Sequence, residues 1–336
     1  MSGTGQRYIY SQLSAEAAGG MVVRHYSLTD FVDCKYFVLG LHDNYLIECT
    51  ANKYLLRIYR NSWRTPGDIY FELELLAFIR AEGGRVAAPL YTATGAPCFA
   101  VDSPEGQRIA ALFHYADGQA PGNEMSIQHS ALLGRTVAQV HGISDAFVTA
   151  RSRQVLDLDY LLDDSIAVVA AFVDTESRAY LASLQELVRG GLPVLSVEAP
   201  VYGICIGDVN PTNFHIDAHN AMTLFDFDQC GYGHRAFDIG KYVSSICSLS
   251  LKHDLRQAFI EGYEQVRRLS RDEQAAIPFF EIVGVIWVMA IHAANADRIG
   301  YKWLDKPFWD RRLDILKALQ KQLADKPLSA ADRKRV

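Results

Sequence analysis

Charge is scarce in this 336-residue chain: 21% of its residues are Asp, Glu, Lys or Arg, and they leave a formal net charge of −6. A generally basic surface is missing, which argues against a nucleic-acid partner while leaving room for a local basic pocket that holds phosphates. Cysteine is present but unorganised. Cys34, Cys49, Cys98, Cys205, Cys230 and Cys247 form no CxxC pair and no regular framework. Buried, reduced thiols in a cytoplasmic protein are therefore expected, with Cys205 and Cys230 as small packing residues. Met1–Gly20 has no apolar core of the signal-peptide kind. The longest apolar run, Ile282–Ala294, is interrupted by His292. It is too short and too mixed to span a bilayer, so no membrane partner is expected and the run reads as a buried helix. No repeat and no low-complexity linker is present, and the tail Ala330–Val336 is basic and expected to fray. What the chain does have is 49% hydrophobic residues. That is enough for a large core, over a length that suits two domains or one large two-lobed unit.

The first third reads mostly as strand. Lys35–Leu41 and Tyr45–Cys49 are β-branched and aromatic runs around Gly40 and Asp43-Asn44, and Lys53–Tyr59 alternates after the Ala51-Asn52 turn. That alternation points Lys53, Leu55 and Arg57 one way and Tyr54, Leu56 and Ile58 the other. Asp68–Glu82 switches to helical spacing, with Gly83-Gly84 as its stop. Two further strands, Pro97–Val101 and Arg108–Tyr115, precede a turn-rich stretch from Ala116 to Asn123. Helical patterns follow over Ser126–Val140, Tyr160–Val173 and Glu176–Arg189, then short strands and loops, then helices to about residue 324. The expected fold class is α+β: a β-rich N-terminal lobe over residues 1–115 and a larger, mainly helical lobe over 116–336. A ligand is expected in the cleft between such lobes.

Chemistry concentrates in Ile206-Gly207-Asp208-Val209-Asn210-Pro211-Thr212-Asn213 and in Asp226-Phe227-Asp228. A carboxylate in a loop, here Asp208, can orient an acceptor hydroxyl and take its proton. Asp208 is equally good turn chemistry, since Asp-x-Asn-Pro favours turns, and its spacing to Asn213 carries little weight alone. Asp226 shifts that balance. Met222–Phe225 reads as a short strand leading straight into it. Asn213 and Asp226 would then bring one amide oxygen and one carboxylate to a hard cation such as Mg²⁺, with Asp228 as a further ligand, direct or through water. The bland alternative is an acidic surface hairpin. Arg57, in mid-strand, suits phosphate contact, and Glu72 on the following helix suits pairing with it. Glu74, two residues on, falls on roughly the opposite side of that helix. Ordinary exposed charges are the competing explanation for Arg57 and Glu72.

These segments, with Val86-Ala87-Ala88-Pro89 and Gly231-Tyr232-Gly233-…-Phe237-Asp238-Ile239, resemble the aminoglycoside phosphotransferase and choline kinase superfamily over roughly residues 30–315. That superfamily has a protein-kinase-like fold. The branch most similar holds type II homoserine kinases, hydroxylysine kinases and the bacterial stress response kinase. The resemblance implies ATP and Mg²⁺ as cofactors, Asp208 as catalytic base, and Asn213 and Asp226 as metal ligands. It puts Arg57 in the place of the phosphate-binding lysine, with Glu72 as its partner. It also implies a hinge within Ile109–Ala116, including Phe113 and Tyr115, whose backbone meets adenine, and a structural Asp238 that accepts backbone N–H bonds. The chain departs from the family's pattern in having no Gly-x-Gly-x-x-Gly loop over residues 36–46, Ile206 where a His is usual, and Arg57 where Lys is frequent.

The expected activity is transfer of the γ-phosphate to a hydroxyl of a small molecule: an amino alcohol, a hydroxy amino acid or an aminoglycoside-like antibiotic. A Ser/Thr protein kinase and a non-catalytic nucleotide-binding protein are the alternatives. Glu281, Trp287, His292, Asp297, Tyr301, Trp303 and Trp309 are candidates for the acceptor site, with Trp287 and His292 better read as core. The small-molecule hydroxyl acceptor is the expected partner, and the chain is expected as a monomer or homodimer.

Overall fold

The computed structural model describes residues 8–325, so the basic tail lies outside the described residues. In chain order, helix α1 (Ala15–His25) precedes strands β1 (Phe31–Leu39), β2 (Asp43–Cys49) and β3 (Lys53–Ile58). Helix α2 (Pro66–Ala81), strands β4 (Phe99–Ser103) and β5 (Gly106–His114) and helix α3 (Ile127–Ser144) come next. A π-helical turn (Asp159–Asp164) leads into helices α4 (Ser165–Val169) and α5 (Thr175–Gly191). Strands β6 (Tyr202–Cys205), β7 (Phe214–Ile216), β8 (Met222–Leu224) and β9 (Gly231–His234) follow. Helices α6 (Ala236–Ser245), α7 (Lys252–Glu264), α8 (Arg271–Ala294), α9 (Ala296–Ile299) and α10 (Lys306–Ala324) end the described chain. The chain folds into two compact units. The first comprises residues up to Pro121 with Gly142–Gln154 and Thr212–Cys230, and the second comprises Gly122–His141, Val155–Pro211 and the residues from Gly231 onward. The expected boundary after Tyr115 thus precedes the first break by a few residues, and two later segments join the first unit.

In the first unit, five antiparallel strands pair in the order β1-β2-β3-β5-β4. The alternation expected along β3 is present. Leu56 and Ile58 enter a core with Tyr45, Ile47, Leu112 and Val22, while Leu55 and Arg57 line a cavity on the other side. Helix α1 was not anticipated, because Gly19-Gly20 blurs its apolar spacing. Ser14 caps it by accepting the N–H of Ala17 at 3.1 Å, and Gly19 lets it approach the sheet, since a Cβ there would lie 3.0 Å from Cys34 Cβ. The start of α2 is a capping box of Thr65 and Asp68 with Pro66 in the first turn. It ends at Gly83, whose φ of +85° is the left-handed conformation that glycine adopts freely.

The second unit centres on α6 and α8. Gly240 permits their close approach, because a Cβ there would stand 2.6 Å from Phe280 Cβ. The apolar run expected as a buried helix is the second half of α8, with Ile286 fully buried and Trp287 set edge-on to Phe237 at 5.6 Å. By length and composition α8 could cross a membrane, yet 72% of its most apolar stretch is buried within the fold. The expected helix over Tyr160–Val173 is instead the π-helical turn followed by the short α4.

Candidate active site

The β7–β8 hairpin brings the expected metal ligands to one end of the first unit's cavity. Phe214 pairs with Leu224, and the N–H of Phe225 donates to the carbonyl of Asn213 at 3.0 Å. Asn213 and Asp226 therefore stand on adjoining strand ends, and both line a cavity of about 360 Å³ with Arg57, Glu72, Phe113 and Tyr115. Asp226 has a φ of +64°, a left-handed backbone that Asp tolerates better than most residues, and its side chain is 41% exposed. An amide oxygen and a solvent-reaching carboxylate form the hard donor set that Mg²⁺ accepts when water and phosphate complete its shell.

Arg57 is the hub of this cavity. Its Nη2 donates to Asp226 Oδ1 at 2.8 Å, its Nη1 lies 3.4 Å from Glu72 Oε1, and its Nε lies 3.3 Å from Asn44 Oδ1. Burial opposes its charge, but Asp226 and Glu72 outweigh burial and raise its pKa further. Burial pushes Glu72 up to about 7, and Arg57 pulls it back only in part, because the guanidinium's nearer partner is Asp226. The Tyr59 hydroxyl donates to the other Glu72 oxygen at 3.0 Å. Glu74 instead pairs with Arg151 at 3.0 Å, as the helical phase requires. The phenyl ring of Phe113 lies 5.6 Å from the Arg57 guanidinium. Tyr115 stands edge-on to His215 at 5.6 Å and to Phe37 at 6.1 Å, which gives the cavity an aromatic wall.

Asp228 is a correction. Expected as a further metal ligand, it is buried and its carboxylate is spent inside the first unit. Oδ1 accepts from Arg64 Nε at 3.0 Å and lies 3.0 Å from His42 Nε2, while Oδ2 accepts from Trp63 Nε1 at 3.0 Å and Gln229 Nε2 at 3.1 Å. Buried, and with Arg64, Trp63 and Gln229 donating to it, the carboxylate is turned away from the cavity that Asn213 and Asp226 line. Burial works against its charge, but Arg64 and His42 hold its pKa well below the usual carboxylate range. His42 Nδ1 accepts the N–H of Arg60 at 3.0 Å, so the ring proton sits on Nε2, facing Asp228, and burial lowers the pKa of this imidazole. Arg153 closes the arrangement by donating to the carbonyls of Asp228 and Cys230. Asp228 thus braces the turn that aims Asp226. His42, Trp63, Arg64 and Arg153 were missed by the sequence reading. The one local signal was Arg64's place directly before the Thr65-Pro66-x-Asp68 helix start.

Asp208 belongs to the second unit. Asp238, in the first turn of α6, accepts the N–H of Ile206 at 2.6 Å and of Gly207 at 2.8 Å, the structural role expected of it. Gly207 needs to be glycine, with a φ of +88°. His141 lies behind Asp238, its Nε2 at 2.8 Å from Oδ2 and its Nδ1 at 2.9 Å from the Tyr263 hydroxyl. Burial lowers the pKa of His141, which favours the neutral ring. The Ile206 side chain is buried, and only its backbone serves the loop. Asp208 Oδ2 accepts from Asn210 at 3.0 Å, and Oδ1 lies 2.6 Å from the Lys241 ammonium, a partner the sequence gave no sign of.

The acceptor candidates separate by burial. Trp287, Trp309 and Glu281 are core, with the Trp309 indole N–H on the Leu304 carbonyl at 2.9 Å and Glu281 3.3 Å from Arg256. His292 is half-buried, with its Nδ1 on the Val288 carbonyl at 2.8 Å. Tyr301 and Trp303 are 63% and 74% exposed, and the Tyr301 hydroxyl donates to Asp297 at 3.0 Å.

The family model described as APH, Phosphotransferase enzyme family, matches residues 35–275. A Synechocystis sp. protein described as "Uncharacterized protein sll1119" is 36% identical over 313 residues, covering 93% of this chain and 87% of that one. A homoserine kinase of Rhodopseudomonas palustris is 22% identical over 275 residues, covering 80% of this chain and 81% of the kinase. Among solved structures, a microcompartment-associated aminopropanol kinase is similar with a TM-score of 0.76 at 21% identity, covering 91% of this chain and 95% of its own. Amicoumacin kinase, in complex with AMP-PNP and Ca²⁺, is similar with a TM-score of 0.71 at 18% identity, covering 94% and 97%. The fold is thus the protein-kinase-like α+β fold expected from the sequence.

Proposed function

The chain belongs to the APH phosphotransferase enzyme family, and from that premise we propose that it moves the γ-phosphate of ATP to a hydroxyl of a small amine-bearing molecule. The observation that carries this reading is the cavity in which Arg57, Asn213 and Asp226 meet beside an aromatic wall. The wall, with Tyr115 and Phe113, takes the purine. Arg57 binds phosphate oxygens while Glu72 fixes its fork. Asn213 and Asp226 would hold Mg²⁺. When bound, the ion neutralises charge on the phosphates. Asp208 takes the acceptor's hydroxyl proton as the new oxygen–phosphorus bond forms and ADP leaves with the electrons of the broken one.

An amine-bearing acceptor is favoured by Asp297, which accepts from Tyr301, and by the exposed ring of Trp303, groups that attract a cation. Homoserine and aminopropanol, acceptors in the names of similar proteins, both carry a hydroxyl and an amine. The test is ADP release across a panel of amino alcohols, hydroxy amino acids and aminoglycosides. Saturable turnover with one class, lost in Asp208→Ala, is the expected result. Labelled phosphate appearing on proteins and on no small molecule would favour the protein-kinase alternative instead.

A further inference from the structure

We propose that Lys241 is the positioning residue of Asp208, and that α6 is a clamp which sets both the backbone and the carboxylate of the base. The inference rests on the phosphotransferase reading above. Asp238 and Lys241 are three residues apart, so they lie on one face of α6. Asp238 holds the main chain at Ile206 and Gly207, and Lys241 holds the next residue's side chain, with its Nζ 2.6 Å from Asp208 Oδ1. One helical turn thereby fixes three consecutive residues of the loop.

The placement of Lys241 is costly to build, which separates it from a surface ion pair. Its side chain is 4% exposed, whereas that of Asp208 is 29% exposed. The cation stands behind the carboxylate, on the protein side, and the carboxylate reaches solvent. A buried ammonium is tolerated only when a good partner meets it. Its stem runs along α8 at Gly284, where a Cβ would stand 3.4 Å from Lys241 Cδ and 2.9 Å from Ser244 Oγ. A turn-forming Asp would need only the Asn210 contact. With Oδ1 held by Lys241 and Oδ2 accepting from Asn210, the carboxylate is kept in one rotamer. In this role Lys241 orients the carboxylate, and the acceptor's proton goes to Asp208.

The test is Lys241→Met, which fills the same apolar passage without the charge, with Lys241→Arg beside it. ADP release with the acceptor found in the panel is expected to show kcat lowered ~10- to 100-fold with the KM for ATP unchanged, the loss typical of a misplaced group. Lys241→Arg is expected to recover part of that loss. Combining Lys241→Met with Asp208→Asn is expected to add nothing to the loss from Asp208→Asn alone. A crystal structure of Lys241→Met is expected to show Asp208 in a new rotamer while Ile206 and Gly207 stay bonded to Asp238. Unchanged kcat, additive losses, or Asp208 unmoved in that crystal structure would each overturn the proposal. Turnover that survives Asp208→Asn, or a wild-type chain that phosphorylates no acceptor, would instead remove the reading of Asp208 as base. The crystal structure then decides alone whether Lys241 positions it.

Discussion

Arg57 Nη2 lies 2.8 Å from Asp226 Oδ1, so the candidate phosphate-binding cation and the candidate metal ligand hold one another within the first unit. The pair also explains why arginine serves here in place of lysine. Its fork reaches Asn44, Glu72 and Asp226 from three nitrogens, a set of directions that a single ammonium does not match.

Removing that fork should weaken nucleotide binding. Charge-assisted hydrogen bonds of this kind contribute about 1.5–3 kcal/mol, so Arg57→Met is expected to bind a non-hydrolysable ATP analogue with Mg²⁺ roughly 10- to 100-fold more weakly in calorimetric titration. Arg57→Met also strands Glu72, which is buried and 3.4 Å from the lost group. The double variant Arg57→Met/Glu72→Gln is therefore expected to regain thermal stability without regaining affinity. Recovery of affinity in the double variant would deny Arg57 its phosphate role.

Asp228→Asn separates bracing from metal binding. The carboxylate accepts from Arg64, Trp63 and Gln229, so whichever way an amide is turned, its NH₂ group meets a donor. Breaking a buried charge pair of this sort costs about 3–5 kcal/mol. Chemical denaturation is expected to show a loss on that scale, while the Mg²⁺ dependence of nucleotide binding in the surviving folded protein stays unchanged. A stable variant with altered Mg²⁺ dependence would restore Asp228 as a ligand.

The parts of this arrangement that were legible in the sequence are those fixed by local periodicity. Strand alternation put Arg57 on the opposite face from Leu56, and helical phase put Glu72 rather than Glu74 toward it. The short strand before Asp226 placed that residue at a strand end. Asp228 was misread because two residues after Asp226 the chain is already in a turn, so motif adjacency no longer means a shared direction. Its partner Trp63 is 165 residues away, a distance no local pattern bridges. Lys241 was invisible for a related reason. A lysine in an apolar helix reads as a residue that extends to solvent, and only the fold shows that its stem runs along Gly284 to a carboxylate.

Acid should weaken the fold first through histidine. Burial lowers the pKa of His42 below its unfolded value near 6.5, so the unfolded chain takes up a proton that the folded one refuses. The stability from neutral His42 is present above about 6.5 and declines as pH falls toward the folded pKa. Asp228 acts in a lower window: its folded pKa is depressed, so its contribution holds above about 3.9 and is lost as pH falls through the folded value. His42→Gln keeps an acceptor for Arg60 and a donor for Asp228 but does not titrate. Melting curves from pH 7.5 to 5 are expected to flatten in this variant by at most one proton's slope, about 1.4 kcal/mol per pH unit. They should not become level, since burial also lowers the pKa of His141.

Restoring the family's usual His at position 206 should not help. The loop's geometry rests on backbone N–H groups of Ile206 and Gly207 at 2.6 and 2.8 Å from Asp238, and the Ile206 side chain is 4% exposed. Ile206→His would bury an imidazole where Ile206 now stands, and Asp238 Oδ2 is already shared by the Ile206 N–H and His141 Nε2. Burying such a group without a partner costs roughly 1–3 kcal/mol. Ile206→His is therefore expected to lower the melting temperature with no gain in kcat. Asp238→Ala is expected to be far worse, because it leaves two backbone donors and the His141 ring without their shared acceptor. Equal damage from the two substitutions, measured by denaturation and by ADP release, would mean that the side chain at 206 rather than Asp238 sets the position of the base.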